Sequence, residues 1–219
     1  MSDLWIFGYG SLMWRPDFPF MERQKATISG YHRAFCVKST HYRGTPERPG
    51  LVLGLDRGRS CVGVAFRIAP SDAAHVVGYL RKRELIYGVY REAHVPALVL
   101  RGDAHEHITV LTYIAERLHP AYAGDLSIAE QVRVVRGARG LSGTNLDYVI
   151  NTVRHLQELG IRESELERLI ALAGPVIARD KSEVLARPSV AGLRRSDARR
   201  ASLLPPVARA DQRRFMHRA

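Results

Sequence analysis

The chain has 219 residues, 46% hydrophobic and 25% charged, a composition of ordinary globular proteins that excludes disordered and fibrous classes. At this length one core buries roughly 70% of the surface of the extended chain, so one or two domains fold without a metal or disulfide scaffold. Of the net charge of +11, +7 falls from Arg187 onward, where nine arginines stand against Asp197 and Asp211; the body is mildly basic and no nucleic-acid partner is expected for it.

Leu4–Phe7 predicts a short first strand. It breaks at Gly8 and follows Asp3, too short for a signal-peptide core or a spanning helix, so no membrane partner is expected. Gly8-Tyr9-Gly10-Ser11 predicts an unusual turn, and Pro16 and Pro19 make Leu12–Phe20 an irregular connection. Further strands are predicted at Thr27–Gly30, Ala34–Ser39, Leu51–Leu55 and Cys61–Ile68, with a Gly- and Pro-rich loop over Thr40–Gly50. Cys36 and Cys61 lie in apolar or alternating segments without a second pair at zinc spacing, which excludes a disulfide framework and points to a reducing cytoplasm.

Pro70-Ser71-Asp72 predicts a helix start with Ser71 as cap, and Val76, Leu80 and Glu84 then share one face. Ala93–Leu100 and Glu106–Tyr113 read as a strand pair joined at Arg101-Gly102-Asp103. Ser127-Ile128-Ala129-Glu130 is a capping box opening a helix with Ile128, Val132 and Val135 as its apolar stripe. After Gly137, Gly140 and Gly143, a helix from Asn145 carries Leu146, Val149, Ile150, Val153, Leu156 and Leu159, with Gly160 at its C-terminal cap. A shorter helix is predicted from Glu163 to about Leu172, and the domain is expected to end near residue 175. The extension 176–219 is basic, Arg- and Ala-rich and poor in aromatics, the composition of a solvated segment.

Glu84 is the residue most open to chemistry. An acid in line with two apolar side chains, at the negative end of a helix dipole, has its charged form disfavoured and its pKa raised toward that of a general base. The spacing leaves open a surface acid paired with Arg81 or Arg83. The Gly8–Leu12 turn is compatible with a nest of main-chain N–H groups for an anion or oxyanion, and equally with a tight bend; it matches neither a phosphate loop nor a nucleophile elbow. His105-Glu106-His107 lacks a third ligand, so no metal site is expected. His41, Tyr42 and Arg43 could bind an acid group or simply belong to a polar loop. Trp5 and Trp14 are most simply core.

Four separated segments, Ile6-Phe7-Gly8-Tyr9-Gly10-Ser11-Leu12, His41-Tyr42-Arg43-Gly44-Thr45-Pro46 with Pro49-Gly50, Tyr79-Leu80-Arg81-Lys82-Arg83-Glu84, and Ser142-Gly143-Thr144-Asn145 with Tyr148, resemble in order and separation the ChaC-type gamma-glutamylcyclotransferases. The resemblance covers about residues 4–173. It implies an α+β fold, a compact mixed domain around a small, largely antiparallel β-barrel with flanking helices. It also implies a cofactor-free, metal-free enzyme that cyclises the γ-glutamyl group of glutathione to 5-oxo-L-proline and releases L-cysteinylglycine. Glu84 would be the acid/base, and the segment Phe7, Gly8, Tyr9, Gly10, Ser11 and Leu12 would bind substrate, its backbone from Tyr9 to Leu12 cradling the γ-glutamyl unit. Tyr148 matches a family tyrosine near the substrate, while Arg43 is nominated for the glycine carboxylate by its charge. Two alternatives stay open: ring closure on other γ-glutamyl amines or dipeptides, and a non-catalytic γ-glutamyl-binding module.

Overall fold

A computed structural model describes residues 3–85, 87–101, 104–124 and 126–174, and the predicted extension 176–219 lies outside the described residues. The element order is β1 (Leu4–Gly8), β2 (Glu22–Ser39), β3 (Gly50–Ile68), α1 (Ala73–Glu84), β4 (Tyr90–Arg101), β5 (Ala104–Ala115), α2 (Ile128–Gly137), β6 (Arg139–Gly140), β7 (Gly143–Thr144), α3 (Asn145–Glu158) and α4 (Ser164–Ala173). A single 3-10 turn, Ser11–Met13, follows β1.

β1 to β5 form a closed barrel in the order β1-β3-β2-β4-β5. Every neighbouring pair is antiparallel except the seam, where Ile6 of β1 meets Leu111 of β5 in parallel. The barrel strands contribute Ile6, Phe7, Ile28, Leu55, Phe66, Val99 and Leu111 to the core, all fully or almost fully buried. Closure removes free strand edges, and an apolar interior of this kind supplies most of the folding free energy at ~25 cal/mol per Å² of apolar surface removed from water.

Two pairs of predicted strands are each one strand. Thr27–Gly30 and Ala34–Ser39 belong to β2, and Leu51–Leu55 and Cys61–Ile68 to β3. The stretches between the predicted strands are bends within a ladder. The register shifts between Ser29 and Tyr31, where Gly30 sits at φ +84, and the opposing Gly58 and Arg59 are at φ +102 and +55. A bulge of this kind lets a long hairpin curve around a barrel without breaking its pairing. The strand pair after Gly88 is present as β4 and β5, and its turn at Gly102-Asp103 lies outside the described residues.

The helices follow their patterns closely. α1 is capped by Asp72 rather than Ser71, and the Asp72 side chain makes no capping bond. The Ser127 capping box is present, with the Glu130 N–H donating to the Ser127 side chain and Glu130 accepting from the Ser127 N–H. Thr144 caps α3 by accepting from the Asp147 N–H, and Gly160, at φ +65, follows its C-terminus. α2, α3 and α4 bury Val135, Val149, Leu156, Leu166 and Leu169 in the common core. Among the described residues, no helix is long and apolar enough to cross a membrane.

Candidate active site

The sequence predicts that Val76, Leu80 and Glu84 share a face of α1, and they do. Val76 and Leu80 are fully buried, and the Glu84 side chain, next on the stripe, is 19% exposed. It opens into a cavity of about 500 Å³, within the usual range for small-molecule sites. Burial pushes the Glu84 carboxyl above its ordinary pKa, against the opposing effect of the adjacent Arg83 cation, whose Nε is 3.3 Å from Glu84 Oε1. Both alternatives raised by its spacing are thus partly realised: the acid faces the interior and also touches Arg83, whereas Arg81 pairs with Glu92 at 2.8 Å.

The turn after β1 forms the opposite wall, through Tyr9, Gly10, Ser11 and Leu12. The Met13 N–H donates to the Gly10 carbonyl and the Arg15 N–H to that of Ser11, so the chain folds into a helical turn whose leading N–H groups, at Ser11 and Leu12, take no main-chain acceptor among the described residues. Unused donors at the start of such a turn suit an anionic oxygen. Phe7 and Gly8 stand behind this wall and do not line the cavity. Phe7 is fully buried in the barrel and its carbonyl accepts from Thr112 Oγ1 at 3.0 Å.

The third wall comes from the loop between β2 and β3 and from α3. Arg43 and Tyr148 both line the cavity, the Arg43 guanidinium lying 5.3 Å from the Tyr148 ring centroid. The loop is held by the segment before α3: the Leu141 and Ser142 N–H groups donate to the His41 and Tyr42 carbonyls at 3.0 and 2.9 Å. Arg43 Nη1 in turn donates to the Ser142 carbonyl. Asn145, fully buried, accepts from the Leu51 N–H and donates to the Leu51 carbonyl, both at 2.7 Å. Asn145→Ala leaves both Leu51 groups unpaired and is expected to cost about 2–3 kcal/mol, read as a lower urea midpoint at unchanged slope.

Several cavity residues carry no motif and were not singled out from the sequence. Tyr90 starts β4 and donates to the Leu53 carbonyl at 2.7 Å, while the Leu53 N–H donates to Tyr148 Oη at 3.3 Å. Tyr113 lies near the end of β5, where alternation gives way to continuous burial; its hydroxyl is buried with no partner among the described residues. An otherwise apolar run containing one tyrosine is the signal that could have marked it. Burial raises the pKa of Tyr9, Tyr90, Tyr113 and Tyr148, and the Glu84 charge raises each further. All four phenols are therefore neutral hydrogen-bonding groups near pH 7, and Glu84 is the acid among them.

The remaining candidates lie elsewhere. Trp5 is core, and Trp14 stacks on His155 at 4.6 Å between centroids. His105, Glu106 and His107 belong to β5, and no group of three or more metal-ligating side chains is present among the described residues. Cys36 and Cys61 are free and buried, their thiols pushed by burial up to about 12 and about 11, so neither has the thiolate character of a nucleophile.

The fold is shared with solved cyclotransferase structures. The yeast gamma-glutamyl cyclotransferase specific to glutathione matches with a TM-score of 0.70 at 23% identity, covering 79% of this chain and 96% of that one. At that identity the likeness establishes the fold. The model of the ChaC-like protein family matches residues 4–176, and the chain belongs to this family. The glutathione-specific gamma-glutamylcyclotransferase of Escherichia coli is 33% identical over 190 residues, 87% of this chain and 81% of the relative. Glutathione-specific gamma-glutamylcyclotransferase 1 is 35% identical over 158 residues in Danio rerio, covering 71% of this chain and 80% of the relative. Its human counterpart is 31% identical over 175 residues, 79% and 78% respectively.

Proposed function

We propose that the protein is a glutathione-specific gamma-glutamylcyclotransferase, with Glu84 as its general acid/base and the Tyr9–Leu12 turn as the cradle of the γ-glutamyl unit. The observation that carries this reading is one cavity bounded by all three: a carboxyl of raised pKa, a turn with unused N–H groups, and an arginine. The relatives named above supply the substrate.

The reaction needs no protein nucleophile. Glu84 takes a proton from the substrate's α-ammonium, and the freed amine attacks the γ-carbonyl carbon to close a five-membered ring. The carbonyl oxygen gains negative charge and accepts hydrogen bonds that the N–H groups of Ser11 and Leu12 donate. As the bond to the cysteine nitrogen breaks, the protonated Glu84 returns its proton to that nitrogen. The second proton of the attacking nitrogen then passes to the released amine, so the ring keeps one N–H and the dipeptide leaves as its ammonium. The products are 5-oxo-L-proline and L-cysteinylglycine, with no net proton change on the enzyme. Burial raises the pKa of the carboxyl, which makes it a stronger base toward the ammonium than an exposed carboxylate would be.

Arg43 uses Nη1 on the Ser142 and Thr144 carbonyls, while Nε and Nη2 take no acceptor among the described residues. These two nitrogens suit the substrate's glycine carboxylate. Arg43→Gln is expected to raise KM about tenfold with kcat within about threefold, in steady-state assays of 5-oxoproline release. The buried free thiols fit a reducing cytoplasmic location. The function is tested by incubating purified protein with glutathione and separately with γ-glutamyl dipeptides and measuring 5-oxoproline. Product from glutathione is expected; product from the dipeptides alone rejects the glutathione assignment.

A further inference from the structure

We propose that Arg83 is a positioning residue that ties the Glu84 carboxylate to the substrate-cradling turn, and that the loop Arg15–Asp17 is shaped as its socket. The proposal rests on the reading of Glu84 as the acid/base, and it concerns a residue given no role by that reading.

The guanidinium lies between the two walls of the cavity and is occupied on every nitrogen. Nε adjoins Glu84 Oε1 at 3.3 Å, and Nη2 donates to Ser11 Oγ at 3.1 Å. Nη1 points toward the Arg15 carbonyl at 3.1 Å, Asp17 Oδ2 at 3.3 Å and Tyr79 Oη at 2.9 Å. Asp17 stands at φ +56, a left-handed conformation that costs free energy in a non-glycine residue and persists where surrounding contacts over-determine it. Arg83 is one such contact. Tyr79 precedes Arg83 by one turn of α1 and braces it from the same helix face.

Its partners separate Arg83 from Arg43: each Arg83 nitrogen has a protein partner, whereas Arg43 holds Nε and Nη2 without one among the described residues, so the action of Arg83 runs through Glu84 and Ser11. The groups that face Glu84 from the other elements are Tyr9 after β1, Tyr90 of β4, Tyr113 of β5 and Tyr148 of α3. Lys38, His41, Arg43 and His119 line the same cavity without an ion pair to Glu84 among the described residues. Arg83 is therefore the cation in contact with the acid, and it opposes the effect of burial on that carboxyl.

The test compares Arg83→Gln, Arg83→Lys and Ser11→Ala with the wild type. Arg83→Gln is expected to lower kcat about 10–100-fold, the scale of a misplaced catalytic group, and to move the acidic limb of kcat/KM to higher pH. Arg83→Lys returns the limb toward its wild-type position but recovers only part of kcat, because an ammonium cannot span both walls. Ser11→Ala lowers kcat with the limb unmoved. A residue acting only on stability would lower Tm without moving the limb. If Arg83→Gln does not fold, unchanged kcat in both other variants overturns the proposal.

A carbon-13 titration of carboxyl-labelled glutamate, with Glu84 assigned by its loss in Glu84→Gln, reads the same contact without turnover. Glu84 is expected to titrate at higher pH in Arg83→Gln than in wild type, and an unchanged midpoint overturns the proposal. Absence of 5-oxoproline from the wild type would instead defeat the functional assignment, leaving this titration to decide the role of Arg83.

Discussion

Glu84→Gln is expected to lower 5-oxoproline formation from glutathione by about 10²–10⁴-fold, the range for removing a general acid/base, while the protein stays folded. The amide keeps the volume of the side chain and its 19% exposure but can neither take the ammonium proton nor return one to the departing amine. The effect on stability has the opposite sign. Burial raises the folded-state pKa of Glu84, so its contribution to stability is fully present below the unfolded-state value of about 4.3 and is lost as pH rises through the folded value. As pH rises the wild type takes on a charge that its buried surroundings disfavour, and the variant does not. Its Tm is expected to equal or exceed that of the wild type. Turnover retained in this variant would remove Glu84 from the chemistry.

The same burial fixes the direction of the pH profile. The acidic limb of kcat/KM reports the free enzyme's base, and it is expected above the ordinary carboxylate range. The four tyrosines titrate far higher and do not set the limb.

Gly50→Ala is expected to destabilise the protein by about 3 kcal/mol or more and to abolish activity in whatever fraction folds. Gly50 opens β3 as the loop from β2 returns on itself, and a Cβ there would overlap the Arg43 carbonyl oxygen and come within 3.0 Å of Asn145 Oδ1. Both obstacles are fixed. One is backbone; the other is a buried amide already bonded to Leu51. Gly44 faces the same crossing from the other side, where a Cβ would overlap the Gly50 nitrogen. The loop can relieve the overlap only by moving Arg43, which withdraws its guanidinium from Ser142 and from the cavity. Denaturant melts check the first effect and residual activity per folded molecule the second.

The order of strands and helices, the face on which Glu84 lies, and the capping of α2 are properties of short stretches, and they were legible from side-chain periodicity and from single capping residues. Val76, Leu80 and Glu84 need only the helix period, and Ser127 with Glu130 needs only three intervening bonds. The four motifs were likewise visible as strings of residues. Their matching to a known family indicated one site before any geometry did, and all four contribute residues to the cavity, through Ser11, Arg43, Glu84 and Tyr148. Phe7 and Gly8, although contiguous with the turn, do not line the cavity: they belong to β1, and the strand ends before the lining residues begin.

Where local signals failed, the cause was long-range pairing. Gly30 and Asp56–Ser60 have the composition of turns, and only their pairing across the hairpin makes them bulged strand. Tyr90 and Tyr113 look like ordinary strand residues until closure of the barrel brings them beside Glu84. The contact of Arg83 with Ser11 joins residues 72 positions apart and depends on the Arg15–Asp17 loop folding between them. Residue type and spacing determined which acid could be unusual; barrel closure decided what surrounds it, because desolvation and charge contact act through space, between groups whose separation along the chain carries no trace of their proximity.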